Sequence, residues 1–144
     1  MKLKELDIDR FDEFVRNNKD KSHFLQSAAW GELSKEKRGL TPYYLGLVDD
    51  NDNILAATLL LQKHLPLKLC YFYAPRGYVI DFHNENLLKS FTKELVNFAK
   101  KKKAIYIKLD PDIVWQRTKY DGEVILEEAK DKKIMNSLLK LGYH

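Results

Sequence analysis

Leu69-Cys70-Tyr71-Phe72-Tyr73-Ala74-Pro75-Arg76-Gly77-Tyr78-Val79-Ile80-Asp81 is the stretch on which the fold turns. Its first half is an apolar, aromatic run of the kind that forms a buried strand. Pro75-Arg76-Gly77 ends that strand. Pro75 has no amide hydrogen to give a neighbour, and Gly77 admits backbone angles that other residues avoid. A strand broken in this way and followed by Asp81 sets a cation and an anion near its carboxyl end, the edge where ligands sit in open α/β sheets. Tyr71 and Tyr73 share one face, so at least one of them packs. Cys70 is the single cysteine. It excludes an internal disulfide and a cysteine metal cage, and its apolar strand marks it as a core thiol rather than a nucleophile.

Working back toward the N-terminus, Pro66 separates this strand from Ile54–Gln62, which is apolar nearly throughout, as in a strand covered on both faces. Asp49-Asp50-Asn51-Asp52-Asn53 reads as a hairpin turn joining it to a strand over Pro42–Val48. The turn lacks the glycine and distal glutamate of a calcium loop. Ser27 suits the cap of a helix from Ala28 to Lys37, with Gly39 as its stop. Asp7 or Asp9 caps an earlier helix that runs to about Asn17, with Phe11, Phe14 and Val15 on one face. Leu3–Leu6 reads as a short first strand.

Working forward, Asn84 or Glu85 opens the longest helix, which ends near Lys103. Leu87, Leu88, Phe91, Leu95, Phe98 and Ala99 make its apolar stripe. Ala104–Leu109 follows as a strand, with Ile105, Ile107 and Leu109 expected on one face and Tyr106 and Lys108 on the other. Trp115–Glu123 has no clear type. Leu126–Leu141 reads as a final helix stopped by Gly142. The order β-α-α-β-β-β-α-β-α predicts an α/β (α+β) domain of GNAT-like (acyl-CoA N-acyltransferase-like) type. Its central sheet is mixed, mostly antiparallel, and flanked by helices.

With 144 residues the chain suffices for one domain. Its 44% hydrophobic and 32% charged residues are those of a globular protein. The longest apolar run, Ile54–Leu61, is too short to span a bilayer, and the N-terminal residues show no apolar signal region, so a cytoplasmic location is expected. A net charge of +4 permits attraction to polyanions without demonstrating it. His23, His64, His83 and His144 show no ligand spacing, so no metal is expected.

Three segments carry a family resemblance. Tyr73-Ala74-Pro75-Arg76-Gly77 with Asp81 resembles the Y-x-P-R-G-P-x-x-D signature of the Fem-type (FemABX) peptidyltransferases. Phe24-Leu25-Gln26-Ser27-Ala28-Ala29-Trp30-Gly31 resembles their F-x-Q-S-x-x-W segment. Ile105-Tyr106-Ile107-Lys108-Leu109-Asp110-Pro111-Asp112 resembles their strand-then-D-P segment. Such enzymes move an amino acid from aminoacyl-tRNA to the stem peptide of a peptidoglycan precursor, building interpeptide bridges. The resemblance implies that residues 1–144 form one GNAT-like domain equivalent to the first of two tandem subdomains, with the second absent. The final Leu138-Leu139-Lys140-Leu141-Gly142-Tyr143 is similar to the segment that precedes the family's next strand.

What the resemblance implies for the site follows residue by residue. Arg76 pairs with a phosphate or carboxylate, Tyr73 bonds to or stacks on uracil or sugar, and Gly77 shapes the loop. Asp81 accepts hydrogen bonds from the precursor or positions its amine. Lys35 stands for the family's phosphate-contacting lysine, which usually lies four residues after the tryptophan, where this chain has Ser34. Tyr78 replaces the motif's second proline. No catalytic residue is assigned and no cofactor is expected. The implied partners are aminoacyl-tRNA and a UDP-linked or lipid-linked muropeptide, with a second GNAT-like half or a homo-oligomer, and peripheral membrane contact, as further options. DNA is not among them.

Structural alternatives stand beside these roles. Trp30 reads as core packing. Gln26 either serves the site or satisfies backbone groups at a helix entry. Arg76 and Asp81 either bind ligand or form an ion pair that locks the loop. Lys100-Lys101-Lys102-Lys103 is either a tRNA contact or a solvated helix end. Asp110 and Asp112 are either a carboxylate pair or turn residues. Two competing functions are a non-catalytic muropeptide-binding or partner-docking module and an acyl-CoA-dependent GNAT acetyltransferase. The latter calls for a Gly-rich loop entering a helix, which the sequence does not contain.

Overall fold

The computed structural model describes residues 1–113, 119–123 and 129–144. Strands β1 (Lys2–Glu5), β2 (Thr41–Val48), β3 (Ile54–His64), β4 (Cys70–Pro75) and β5 (Ala104–Asp110) form one sheet in the order β1-β2-β3-β4-β5. The first four run antiparallel, and β5 joins β4 in parallel through a crossover helix. The helices are α1 (Ile8–Asn17), α2 (Ala28–Arg38), α3 (Glu85–Lys101) and α4 (Ala129–Lys140). This is the expected element order. The expected start of the last helix at Leu126, and Trp115, lie outside the described residues. No described helix is long and apolar enough to cross a membrane.

Local chemistry fixes the helix ends. The side chains of Asp7, Ser27 and Asn84 accept from the amides of Arg10, Trp30 and Leu87, each satisfying a first-turn donor that the helix itself cannot. Gly39 closes α2 at φ 62°, where a side chain would be strained.

At β2 and β3 both faces of the sheet are covered. On one face Leu45, Leu47, Ala56, Leu60, Phe72 and Ala74 pack against Leu88, Phe91 and Leu95 of α3 and Ile134 and Leu138 of α4. On the other, Tyr44, Ala57, Leu59 and Leu61 pack against Leu6, Phe11, Val15 and Ala28. β3 is accordingly buried from Ala56 to Gln62, which explains its unbroken apolar run.

The predicted alternation in β5 is corrected by a bulge. Cys70 faces Ala104 while Phe72 faces Ile107, so three β5 residues oppose two of β4. Ala104, Ile107 and Leu109 join the α3-side core, and Ile105 is left 56% exposed. Tyr106 and Lys108 keep the opposite face, against Tyr71 and Tyr73 respectively.

The β2–β3 turn is a charged clasp. Asp49 accepts from Asn51 and Asn53, and Asp52 takes Lys4 and Arg10 as cationic partners. The Asn53 side chain holds the Asp49 carboxyl below its ordinary value, and Lys4, then Arg10, does the same for Asp52. Folded pKa values below the unfolded ones mean that this stabilisation is complete above the ordinary carboxylate range and is lost as pH falls through the folded values. Urea unfolding followed from pH 6 downward is therefore expected to show a smaller acid loss in Asp52→Asn than in the parent chain.

Candidate functional site

The site is built where β4 breaks. In the β3–β4 register Leu61 faces Tyr73, so Leu59 would face Pro75 next. Pro75 has no N–H to complete that rung, and the ladder ends. The chain leaves the sheet through Arg76, Gly77 and Tyr78 and returns at Val79, which exchanges both backbone bonds with Ala57 at 3.1 and 2.9 Å. Arg76 itself takes the positive φ of 48°. Gly77 does not, so its need for glycine differs from the one expected: a Cβ there would lie 2.8 Å from Gln26 Nε2. The loop is glycine-dependent through space, not through dihedral angle.

Asp110, at the end of β5, holds the loop from the parallel side. One carboxylate oxygen accepts from the Arg76 backbone N–H at 2.8 Å, and the other accepts from Tyr73 Oη at 2.9 Å. Burial, then the Asp110 carboxylate, pushes the Tyr73 phenol above its ordinary value, so Tyr73 remains the donor of that bond through the neutral range. Lys108 lies 5.3 Å from the Tyr73 ring centre. Tyr78, where the family motif has proline, is an anchor: it is 1% exposed, stands edge-on to Phe91, and its hydroxyl meets that of Tyr143 at 3.1 Å. Thr92 Oγ1 meets the same Tyr143 hydroxyl at 3.1 Å.

Beside the loop lies a cleft of about 490 Å³. Arg76, Lys21, Asp81, Asp112 and Asp20 give it charge of both signs, and His83 lines it with them, over an apolar floor that includes Tyr78, Ile80 and Phe82. The Arg76 guanidinium is 47% exposed and touches Asp112 through one nitrogen at 3.6 Å. An exposed pair of this kind is weak, and a guanidinium carries five donors. Arg76 is thus oriented while keeping the capacity to take an anion bidentately. Asp81, which also lines the cleft, accepts from the His83 backbone N–H at 2.9 Å.

The structure gathers the sequence-predicted residues unevenly. Arg76 and Asp81 share the cleft, and the Arg76 partner is Asp112 rather than the Asp81 of the ion-pair alternative. Tyr73 projects from the opposite face of β4 and reaches the loop through Asp110. Gly77 packs on Gln26. Lys35 stands apart: it pairs with Glu32 at 3.7 Å along α2 and does not line the cleft. The adjacent position, Ser34, is buried at 1%, so a lysine there would have no room to leave the helix–sheet interface. Trp30 is half-buried, with Phe24 edge-on and Arg38 over its ring at 5.2 Å. Lys102 lies 4.8 Å from the Tyr43 ring centre, which gives one residue of the lysine run a structural contact. Asp110 and Asp112 were legible as a D-P segment, but their partners were not. Both reach across to the β4 loop rather than acting on their own turn.

An antiparallel meander running into a parallel strand–helix–strand unit, with a polar cleft where the fourth strand breaks, defines an acyltransferase-type α/β domain. A solved structure of a probable acetyltransferase superposes on 100% of this chain and 90% of its own with a TM-score of 0.58, and its 10% identity makes that a likeness of fold alone. The FemAB family model matches residues 6–144, and the chain belongs to the FemAB family. It is 34% identical over 110 residues to the aminoacyltransferase FemA of Staphylococcus aureus, for example in strains bovine RF122 and MW2. That match covers 76% of this chain and 26% of FemA. The crystal structure of FemX superposes on 99% of this chain and 32% of its own, with a TM-score of 0.74 and 26% identity. The chain thus spans about a quarter of the FemA sequence and a third of the FemX structure.

Proposed function

We propose that residues 1–144 are the first GNAT-like subdomain of an aminoacyltransferase of peptidoglycan bridge synthesis, and that this subdomain binds the muropeptide precursor. The observation that carries the reading is the loop at the β4 break. There Arg76 is fixed by its own backbone bond to Asp110 while its guanidinium stays open to an anion. Arg76 takes a diphosphate or carboxylate of the precursor, and Asp81 orients the acceptor amine. Tyr73 and Gly77 hold the loop, and Lys35, on α2 and paired with Glu32, lies outside this cleft. The acceptor nitrogen attacks the ester carbonyl of the aminoacyl-tRNA. An amide bond forms, the ester C–O bond breaks, and the ribose oxygen leaves with a proton. An ester donor is already activated, so orientation and oxyanion stabilisation suffice, with no acyl-enzyme. The reading places the protein in the cytoplasm, where both substrates are made.

A second reading is favoured by the groove of about 890 Å³ between β5 and α4, where Ile105, Met135 and Leu139 are exposed. An apolar surface of this kind suits docking of a second GNAT-like half. In that case these residues bind precursor without turning it over.

Amide-resolved titration with UDP-MurNAc-pentapeptide tests the precursor site. Saturable shifts are expected at Tyr73, Arg76, Gly77 and Asp81, with Arg76→Ala weakening binding about tenfold while the remaining spectrum is unchanged. Absence of shifts at millimolar ligand overturns the assignment of the site to this subdomain.

A further inference from the structure

We infer that Gln26 is a positioning residue for the Arg76 loop, its carboxamide standing in for the strand residue that Pro75 cannot be. The bearing of this on ligand rests on the precursor-site reading above; the bearing on the loop does not.

Gln26 sits in the 3₁₀ turn Phe24–Gln26 and is 0% exposed. Its Oε1 accepts from the Leu59 backbone N–H at 2.8 Å and from Thr58 Oγ1 at 3.2 Å. Its Nε2 donates to the Pro75 carbonyl at 2.7 Å and reaches the Leu59 carbonyl at 3.4 Å. Only one orientation of the amide satisfies this set, because Leu59 N–H needs an acceptor and the Pro75 carbonyl needs a donor. The side chain therefore completes the rung at which β3 and β4 separate. The in-register partner of Ala57 would be Gly77, yet Ala57 pairs with Val79, two residues later. The extra length is the loop. Gln26 pins its start, the Ala57–Val79 pair pins its end, and Gly77 must cross the carboxamide closely enough that a Cβ has no space. With every Gln26 bond buried, rotating the amide leaves polar groups unpaired, which makes the loop geometry depend on it.

Gln26→Glu separates positioning from mere filling. As a neutral acid it offers the same acceptor to Leu59 and an O–H donor to Pro75. Ionised, it loses the donor and sets a charge against a carbonyl. Burial raises a carboxyl pKa, so the change occurs above the usual range of about 4.3. Gln26's contacts, Thr58, Leu59, Pro75 and Gly77, are uncharged. The charged or titratable groups on the segments packed around it are Tyr73, Arg76 and Tyr78, with Asp110 and Asp112 on Arg76, Asp12, which accepts from Ala28 N, and His23.

The expected result is that the Arg76, Gly77 and Val79 amides of Gln26→Glu match the parent at low pH and move away as pH rises, while the parent's do not. Gln26→Met, which keeps the volume and removes the bonds, is expected to shift the same amides at all pH values and to weaken UDP-MurNAc-pentapeptide binding about tenfold. Loop amides that ignore both substitutions overturn the inference. If Gln26→Met does not fold, the pH response of Gln26→Glu decides alone. If the parent binds no precursor, the precursor-site reading fails while the loop amides still decide the role of Gln26.

Discussion

Phe91→Ala is expected to lower the unfolding free energy by roughly 3–5 kcal/mol. Phe91 is 0% exposed in the middle of the α3 stripe and meets Tyr78 edge-on with ring centres 5.1 Å apart. It joins α3, the sheet and the returning loop, so no single neighbour can move to fill its volume. Against the roughly 5–15 kcal/mol that holds a domain of ordinary size together, this is a large fraction. Urea denaturation should show a midpoint that falls steeply at unchanged slope. Val96→Ala, on the same helix but 38% exposed, is expected to cost well under half as much. Equal losses from the two would contradict the assigned core.

Asp110→Ala is expected to have a large effect on ligand, a loss of about tenfold in precursor affinity. One carboxylate serves two groups, the Arg76 backbone N–H and the Tyr73 hydroxyl. Charge-assisted bonds of this kind are about twice as strong as neutral ones. Removing the carboxylate frees the backbone that aims the guanidinium and the phenol that shares the carboxylate, so the cost approaches that of Arg76→Ala itself, about tenfold. Asp110→Asn keeps one acceptor oxygen but turns an N–H₂ toward the second partner, so its affinity should fall between the two. Calorimetric titration of the three proteins with the UDP-linked precursor measures the series. A parent-like Asp110→Ala would mean that the loop is held by other means.

Much of the fold is legible because local chemistry decides it. Ser27 and Gly39 bracket α2, Asn84 caps α3, and the Leu88–Phe91–Leu95 stripe turns it onto the sheet. The broken strand could be read from Pro75 because a missing N–H acts within its own ladder. What escapes the sequence acts across distance. Asp110 meets Arg76 and Tyr73 only because β5 lies parallel to β4, a pairing that no local pattern encodes. Gln26 looks like a helix-entry residue until the separation of β3 from β4 exposes the rung that it fills. The β5 bulge shifts Ile105 out of the core because one inserted residue changes the phase of the pleat. Family likeness pointed to Lys35, and packing sends it elsewhere, with Glu32 as its partner.

The three hydroxyls of Tyr78, Tyr143 and Thr92 have a thermodynamic meaning of their own. They connect the loop, the segment after α4 and the middle of α3 through a single shared oxygen. Burial, then Tyr143, keeps the Tyr78 phenol protonated far beyond neutrality. The two bonds couple three stretches remote in sequence, so that opening one of them weakens the hold on the others. Undocking α4 therefore removes one of the anchors of the Arg76 loop, and any ligand that tightens the loop through Tyr78 tightens α4 by the same free energy.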